Sequence, residues 1–259
     1  MTYTEKGAGD TGARGASAVS YGDPLPWTWK QLFLVSLHLP VRDNRGRIMR
    51  YRDTYDRLVS EIRIQIDLVR ELTGEVIRHA DEAGVPVRSR GLRIDSHQHT
   101  HLLPIVWRAF MQVVEEDRLE VEYVRSSHEP LGVFVRHLGL VSRHPVGFIK
   151  NRILAVLAPR VERYIRDNKL RSTYLWGLVM TGYMDIDRID AIMPDMLNVC
   201  TKYGRDLEIN IHPGRMNPDE VSEEIPAPSV EDFYMTGGRE IELNTVAHFR
   251  EVMSKYADR

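Results

Sequence analysis

The chain has 259 residues, of which 42 % are hydrophobic and 28 % are charged, and its one cysteine is Cys200. This composition excludes a disordered chain and a scaffold held by disulfides. The 35 basic and 37 acidic residues leave a net charge of −2, which is no signature of nucleic-acid binding. No apolar run approaches the roughly 18 residues of a membrane span, and the start lacks the apolar core of a signal peptide. We therefore expect a cytoplasmic protein.

The start of the chain divides into a leader and a folded domain. The first 22 residues hold five of the 18 glycines and almost no large apolar side chains. Such a segment buries too little surface to offset the entropy of ordering, so residues 1–25 are predicted to be a disordered leader. Residues 26–259 are predicted to form a single domain. Within it, the apolar run 31–39 is ended by Pro40 and predicts a buried strand.

Helices and strands are predicted to alternate along the rest of the domain. Apolar residues recur every three or four positions from Tyr55 to Leu72, which predicts a helix that Thr73-Gly74 interrupts before a second stretch to about Ala83. The later predicted strands are 86–95, 119–124, 173–180 and 206–211. The later predicted helices begin at Pro104, lie within 146–169, cover 187–203 and cover about 245–256. This alternation indicates an α/β fold with a largely parallel sheet.

One stretch of the chain is strongly basic. Residues 143–171 hold eight Lys and Arg residues against two acidic residues. Such a face can attract an anionic substrate or a membrane headgroup. The alternative is that these charges belong to ordinary solvated helix faces.

Histidines carry the strongest functional signal. Three of the ten, His97, His99 and His101, alternate directly after Asp95. In an extended strand, alternate side chains point to one face, so the three imidazoles could converge there. Neutral imidazole is a common ligand of zinc and other divalent metals. We expect a metal or catalytic role for this cluster, with one or two of its members only shaping the pocket.

Two more histidines follow predicted strands. His38 lies near the end of the first apolar run, and His212 follows the strand 206–211. In α/β barrels and open sheets, catalytic residues gather at the carboxyl ends of strands. We therefore expect His38, His97 and His212 to belong to one site. Trp176, near another predicted strand end, is a candidate for stacking on a sugar.

The order of these motifs resembles a known family, the YdjC-like carbohydrate deacetylases, which include chitooligosaccharide deacetylases. The matching segments are Ser36–Leu39, the Asp-Ser-His-x-His-x-His run 95–101 followed by Pro104, Val124-Arg125, the Ile-His-Pro-Gly run 211–214, and 239–243. The resemblance implies a (β/α) barrel-like fold and a hydrolase that removes the acetyl group from an N-acetylated sugar or oligosaccharide. It also implies a divalent metal, Mg²⁺ or Zn²⁺, held by one Asp and two His.

The resemblance assigns roles to individual residues. The two metal ligands carried over are His38 and His97, and His212 is the general acid that protonates the leaving amine. Arg125 is expected to hold substrate or to orient a carboxylate. Asp95 is expected to accept a hydrogen bond from a ligand histidine, and His101 is expected to support the site or contact substrate.

The chain departs from the family pattern at its start. Family members begin with a strand that ends in Asn-x-Asp-Asp-Phe-Gly, which supplies a metal-ligating aspartate and a base, and no such run occurs here. We therefore expect a barrel that is incomplete at the first strand. The departure fits a truncated chain, a misread start or a degenerate enzyme, and it implies impaired activity.

Two other functions compete with the deacetylase. A His-x-His pair at a strand end is also typical of amidohydrolase-type metal hydrolases, although there it lies on the first strand. A chain without the base and the carboxylate ligand could instead be a catalytically inactive sugar-binding relative. The sequence leaves open the particular sugar, the particular metal and whether the chain forms a homodimer.

Overall fold

The structure is a computed structural model that describes residues 27–87, 89–141, 145–214 and 237–256. The helices are α1 (Trp29–Ser36), α2 (Tyr51–Glu82), α3 (Pro104–Glu116), α4 (Leu131–Arg136), α5 (Leu138–Val141), α6 (Pro145–Leu157), α7 (Pro159–Asp167), α8 (Ile186–Tyr203) and α9 (Gly238–Tyr256). The strands are β1 (Val41–Arg42), β2 (Ile48–Met49), β3 (Leu92–Ile94), β4 (Val121–Val124), β5 (Thr173–Trp176) and β6 (Asp206–Ile209). The predicted disordered leader, residues 1–25, lies outside the described residues.

The predicted α/β class is confirmed, but the barrel-like closure is not. Strands β3 and β4 pair in parallel, β5 and β6 pair in parallel, and β1 and β2 form a short antiparallel pair. Within the described ranges the strands thus form three two-stranded sheets and no closed barrel. The two parallel pairs still place the residues that follow β3, β4 and β6 at the carboxyl ends of strands, where α/β proteins build their sites.

The predicted strand over 31–39 is wrong, because this segment is the helix α1. Thr28 accepts a hydrogen bond from the Gln31 backbone N–H, and the Gln31 side chain accepts one from the Thr28 N–H. This reciprocal capping box stabilises the start of a helix. His38 therefore follows a helix and not a strand.

Helix α2 is a single helix of 32 residues, so the predicted break at Thr73-Gly74 is also wrong. A glycine within a helix costs about 1 kcal/mol relative to alanine, which a helix of this length tolerates. The other predicted helices and strands occur in the predicted order, although β3, β4, β5 and β6 are all shorter than predicted. The elements β1, β2, α4 and α5 lie in segments for which no helix or strand was predicted. In the described part of the chain, no helix combines the length and apolarity needed to cross a lipid bilayer.

Two groups of buried apolar side chains hold the parallel pairs in place. The first packs α1, α2 and α3 against β3 and β4, with Leu102, Ile105 and Val124 fully buried. The second packs α4 and α8 around β5. Trp176 is fully buried in this second group, so the predicted stacking of its ring on a sugar is excluded.

Candidate active site at the carboxyl ends of the parallel strands

The site begins where β3 and β4 end side by side. Ile94 pairs with Val124, so the next residues, Asp95 and Arg125, are neighbours across the pair. The Arg125 backbone N–H donates to the Ile94 carbonyl oxygen at 3.0 Å, and its guanidinium forms an ion pair with the Asp95 carboxylate. Parallel pairing thus brings together two residues that lie 30 positions apart.

Glu208 of β6 joins the same group from the second parallel pair. Its Oε1 atom accepts a hydrogen bond from Arg125 Nε at 2.8 Å, and its other oxygen accepts one from the Tyr123 hydroxyl. Burial and the bond to Glu208 raise the pKa of Tyr123 to about 12, so the phenol keeps its proton. We call Asp95, Tyr123, Arg125 and Glu208 the Arg125 cluster. It links the β3–β4 and β5–β6 pairs and orients two carboxylates with one guanidinium.

The prediction that the three alternating histidines share one face of a strand is wrong. They lie in a 3₁₀ turn, His97–Leu102, in which Gln98 and His99 have positive φ angles of 54° and 59°. We call this segment the histidine turn. It leaves His97 exposed, whereas His99 and His101 are buried. Non-glycine residues in this backbone region are strained, and such strain concentrates at functional sites.

His101 fixes the position of the Arg125 backbone. Its Nε2 atom lies 2.7 Å from the Arg125 carbonyl oxygen, and its Nδ1 atom lies 2.7 Å from Ser96 Oγ. A carbonyl oxygen only accepts, so Nε2 carries the proton and Nδ1 accepts from the serine hydroxyl. Burial lowers the pKa of His101, which agrees with this neutral tautomer. His101 is thus a neutral clamp between the histidine turn and the end of β4.

His99 is the second buried imidazole of the turn. Its Nδ1 atom lies 2.7 Å from Ser127 Oγ, and 5 % of the residue is exposed. Burial is the main cause that lowers its pKa to about 3, followed by the positive charge of Lys150. His99 therefore stays neutral at physiological pH. Arg125, His101 and His212 shift this pKa in the same direction.

The stability of the protein should fall in mild acid because of His99. An unfolded histidine binds a proton below about pH 6.5, whereas His99 in the folded chain does not bind one until about pH 3. Below pH 6.5 the unfolded state takes up a proton that the folded state does not, so the free energy of unfolding falls. We expect a loss of about 2 kcal/mol between pH 6.5 and 5. Urea unfolding with chelator present should show this loss reduced by a similar amount in His99→Gln. Equal losses in the two proteins would contradict the assignment.

His212 follows β6 and is held by a residue from α9. Its backbone N–H donates to the Glu242 carboxylate, and its Nδ1 atom lies 3.6 Å from Glu242 Oε2. Glu242 is fully buried, and its Oε1 atom accepts a hydrogen bond from the Gly182 N–H at 2.6 Å. A separation of 3.6 Å is too long for a hydrogen bond, so Glu242 positions His212 through the backbone N–H. The segment 239–243 is among those that match the family, but sequence reasoning assigned no role to Glu242.

A buried glutamate that sequence reasoning missed shapes the loop after β5. The Glu129 carboxylate accepts hydrogen bonds from the backbone N–H groups of Gly177, Leu178 and Val179 at 2.8 to 3.1 Å, and from the Asn151 amide at 2.9 Å. Burial raises the pKa of Glu129 to about 7, although these bonds oppose the rise. Gly177 has a φ of +123°, and a Cβ there would lie 2.0 Å from the Asn210 carbonyl oxygen. The loop after β5 thus requires both the Glu129 carboxylate and the glycine at position 177.

The two expected metal ligands lie on different elements. His38 is exposed after α1, and its ring stacks on Tyr51 with centroids 4.3 Å apart. His97 is exposed at the start of the histidine turn. Across the described ranges, no three His, Cys, Asp or Glu side chains are grouped closely enough to hold a metal ion. Those residues therefore offer a divalent metal no complete set of ligands.

These features define an α/β protein with a polar site built from residues that follow parallel strands. The family model described as YdjC-like protein matches residues 92–253, which is more than half of the chain. The chain therefore belongs to the YdjC-like family, the carbohydrate deacetylase-like family. The match includes Asp95, His97, Arg125 and His212, whereas His38 precedes it. No curated protein and no solved structure matches the chain.

Proposed function

We propose that the protein is a hydrolase that removes the acetyl group from an N-acetylated sugar or oligosaccharide. Membership of the YdjC-like family is the observation that carries this proposal. The Arg125 cluster at the ends of β3 and β4, joined to Glu208 of β6, supports it, and His212 follows the same strand β6. Amide hydrolysis needs a proton for the leaving amine and groups that orient the acetyl carbonyl.

His212 is the proposed general acid. Glu242 holds its backbone, and we assign the imidazole the role of giving a proton to the amine nitrogen as the C–N bond breaks, while water supplies the oxygen that the acetyl carbon carries away in acetate. Arg125 holds Asp95 and Glu208 in fixed positions beside the histidine turn. We assign it the role of orienting carboxylates, with His101 as the clamp on its backbone.

A divalent metal, Mg²⁺ or Zn²⁺, is part of the proposal, with His38 and His97 as its ligands. The described residues contain no group of three His, Cys, Asp or Glu side chains that could hold a metal ion, and two imidazoles alone bind a metal weakly. A Zn²⁺ titration should therefore show weak binding that the double variant His38→Ala/His97→Ala removes. His79→Ala, which alters an exposed histidine of α2, is the matched control and should not change the titration. Unchanged binding in the double variant would exclude the two assigned ligands.

The proposed reaction can be tested by incubating the full chain with N-acetylglucosamine oligomers and added metal. The expected products are acetate and a sugar carrying a free amine, and both can be identified by mass spectrometry. Saturable binding of the oligomer without any product would indicate the sugar-binding relative instead. Two bridged metal ions per chain, with hydrolysis of unrelated amides, would indicate an amidohydrolase-type enzyme.

A further inference from the structure

A groove lies beside the histidine turn, between α1 and α6. Its volume is about 390 Å³, and it is lined by Trp29, Lys30, Gln98, Ile149, Lys150, Ile153 and Leu154. We call it the α1–α6 groove. Gln98 belongs to the histidine turn between His97 and His99, so the groove opens next to the candidate active site. Its volume falls within the range of about 300–1,000 Å³ found for small-molecule pockets.

The walls of the groove are mostly apolar although they face solvent. Ile149 and Ile153 lie four residues apart on one face of α6 and are 62 % and 39 % exposed. Opposite them, Trp29 is held by stacking on Phe33, with ring centroids 5.4 Å apart. Covering such side chains with an aliphatic ligand removes apolar surface from water, which is favourable. The walls therefore favour a ligand with an apolar body.

The polar groups of the groove favour a negative charge on that ligand. Lys30 and Lys150 both line it, and none of its described lining residues is acidic. Lys150 belongs to the basic stretch 143–171, so the excess positive charge of that stretch extends to the mouth of the site.

We propose that the α1–α6 groove binds the non-reacting part of the substrate, and that this part is an amphiphilic anion. The substrate class is then an N-acetylated sugar joined to an aliphatic chain through a phosphate or a similar anionic link. The term substrate rests on the proposed function, whereas the binding of an amphiphilic anion in the groove does not.

Octyl phosphate is the probe for binding, and calorimetry with the full chain is the measurement. It should bind more tightly than octyl glucoside, which lacks the charge, and than inorganic phosphate, which lacks the chain. Ile153→Asp places a carboxylate in the groove and should weaken binding at least tenfold. Val156→Asp introduces the same charge on α6 at a residue that is 74 % exposed and does not line the groove, so it should leave binding unchanged.

Lys30→Gln tests the charge without altering the apolar walls. It should reduce the preference for octyl phosphate over octyl glucoside and leave the binding of octyl glucoside unchanged. Absence of octyl phosphate binding would overturn the inference, as would equal weakening by Ile153→Asp and Val156→Asp. Binding to anionic phospholipid vesicles without binding of octyl phosphate would also overturn it, in favour of a membrane surface.

Acetate release separates this inference from the proposed function. The octyl phosphodiester of N-acetylglucosamine should be deacetylated with a higher kcat/KM than N-acetylglucosamine oligomers, and Ile153→Asp should abolish the difference. Deacetylation of both compounds at equal rates, without octyl phosphate binding, would remove the inference and keep the proposed function. Octyl phosphate binding without acetate release from either compound would remove the proposed function and keep the groove as an anion site.

Discussion

Replacing Glu129 by alanine is expected to lower the free energy of unfolding by about 3–5 kcal/mol, the largest effect on stability that we foresee. The variant leaves three backbone N–H groups of the loop 177–179 without their acceptor, and the Asn151 amide keeps only its 3.4 Å contact with the backbone carbonyl of residue 129. A buried donor left unsatisfied costs about 1–3 kcal/mol, and the removal of a buried charge offsets part of the sum. Urea unfolding followed by circular dichroism measures the change.

Glu71→Ala is the matched control, because it removes an exposed glutamate from α2. Such surface substitutions usually change stability by about 0.5 kcal/mol or less. If the free energy of unfolding of Glu129→Ala lies within about 1 kcal/mol of that of the unaltered chain, the Glu129 carboxylate does not hold the loop as described. A large loss of stability in Glu129→Ala would by itself reduce activity, because less of the variant is folded. Reduced activity of this variant would therefore not show that Glu129 contacts substrate.

Replacing His212 by alanine is expected to lower kcat for acetate release by about 10² to 10⁴, the range typical of losing a general acid. Proton donation occurs in the transition state, so KM should change little. Glu242→Gln should lower kcat less, because the amide oxygen can still accept the His212 backbone N–H that positions the ring. His79→Ala should retain full activity. Retention of full activity by His212→Ala would assign proton donation to another group.

Local patterns in the sequence predicted much of the fold. The alternation of strands and helices and the helix that begins at Pro104 follow from apolar spacing and from proline in the first turn, and both are confirmed. The segment 31–39 was mistaken for a strand because its apolar run outweighed the capping pair Thr28 and Gln31. That pair is a readable signal for a helix start.

The candidate site was predicted less completely, because its main contacts are long-range. The expectation that residues after strands would gather at one end follows from parallel pairing, and Arg125 and Asp95 meet there. Glu129 and Glu242 lie 48 and 60 residues from the loops that they hold, and no spacing rule connects such positions. The local sequence also does not predict the left-handed backbone conformation of Gln98 and His99, because only the tertiary contacts around them support it.

The central claim is that the chain hydrolyses the N-acetyl group of a sugar at the ends of its parallel strands. Its most direct test is the rate of acetate release from N-acetylglucosamine oligomers, measured with added divalent metal for the full chain and for His212→Ala under the same conditions. The account predicts metal-dependent release by the full chain and a loss of about 10² to 10⁴ in the variant. No release by a folded, metal-supplied chain, or equal release by both proteins, would contradict it.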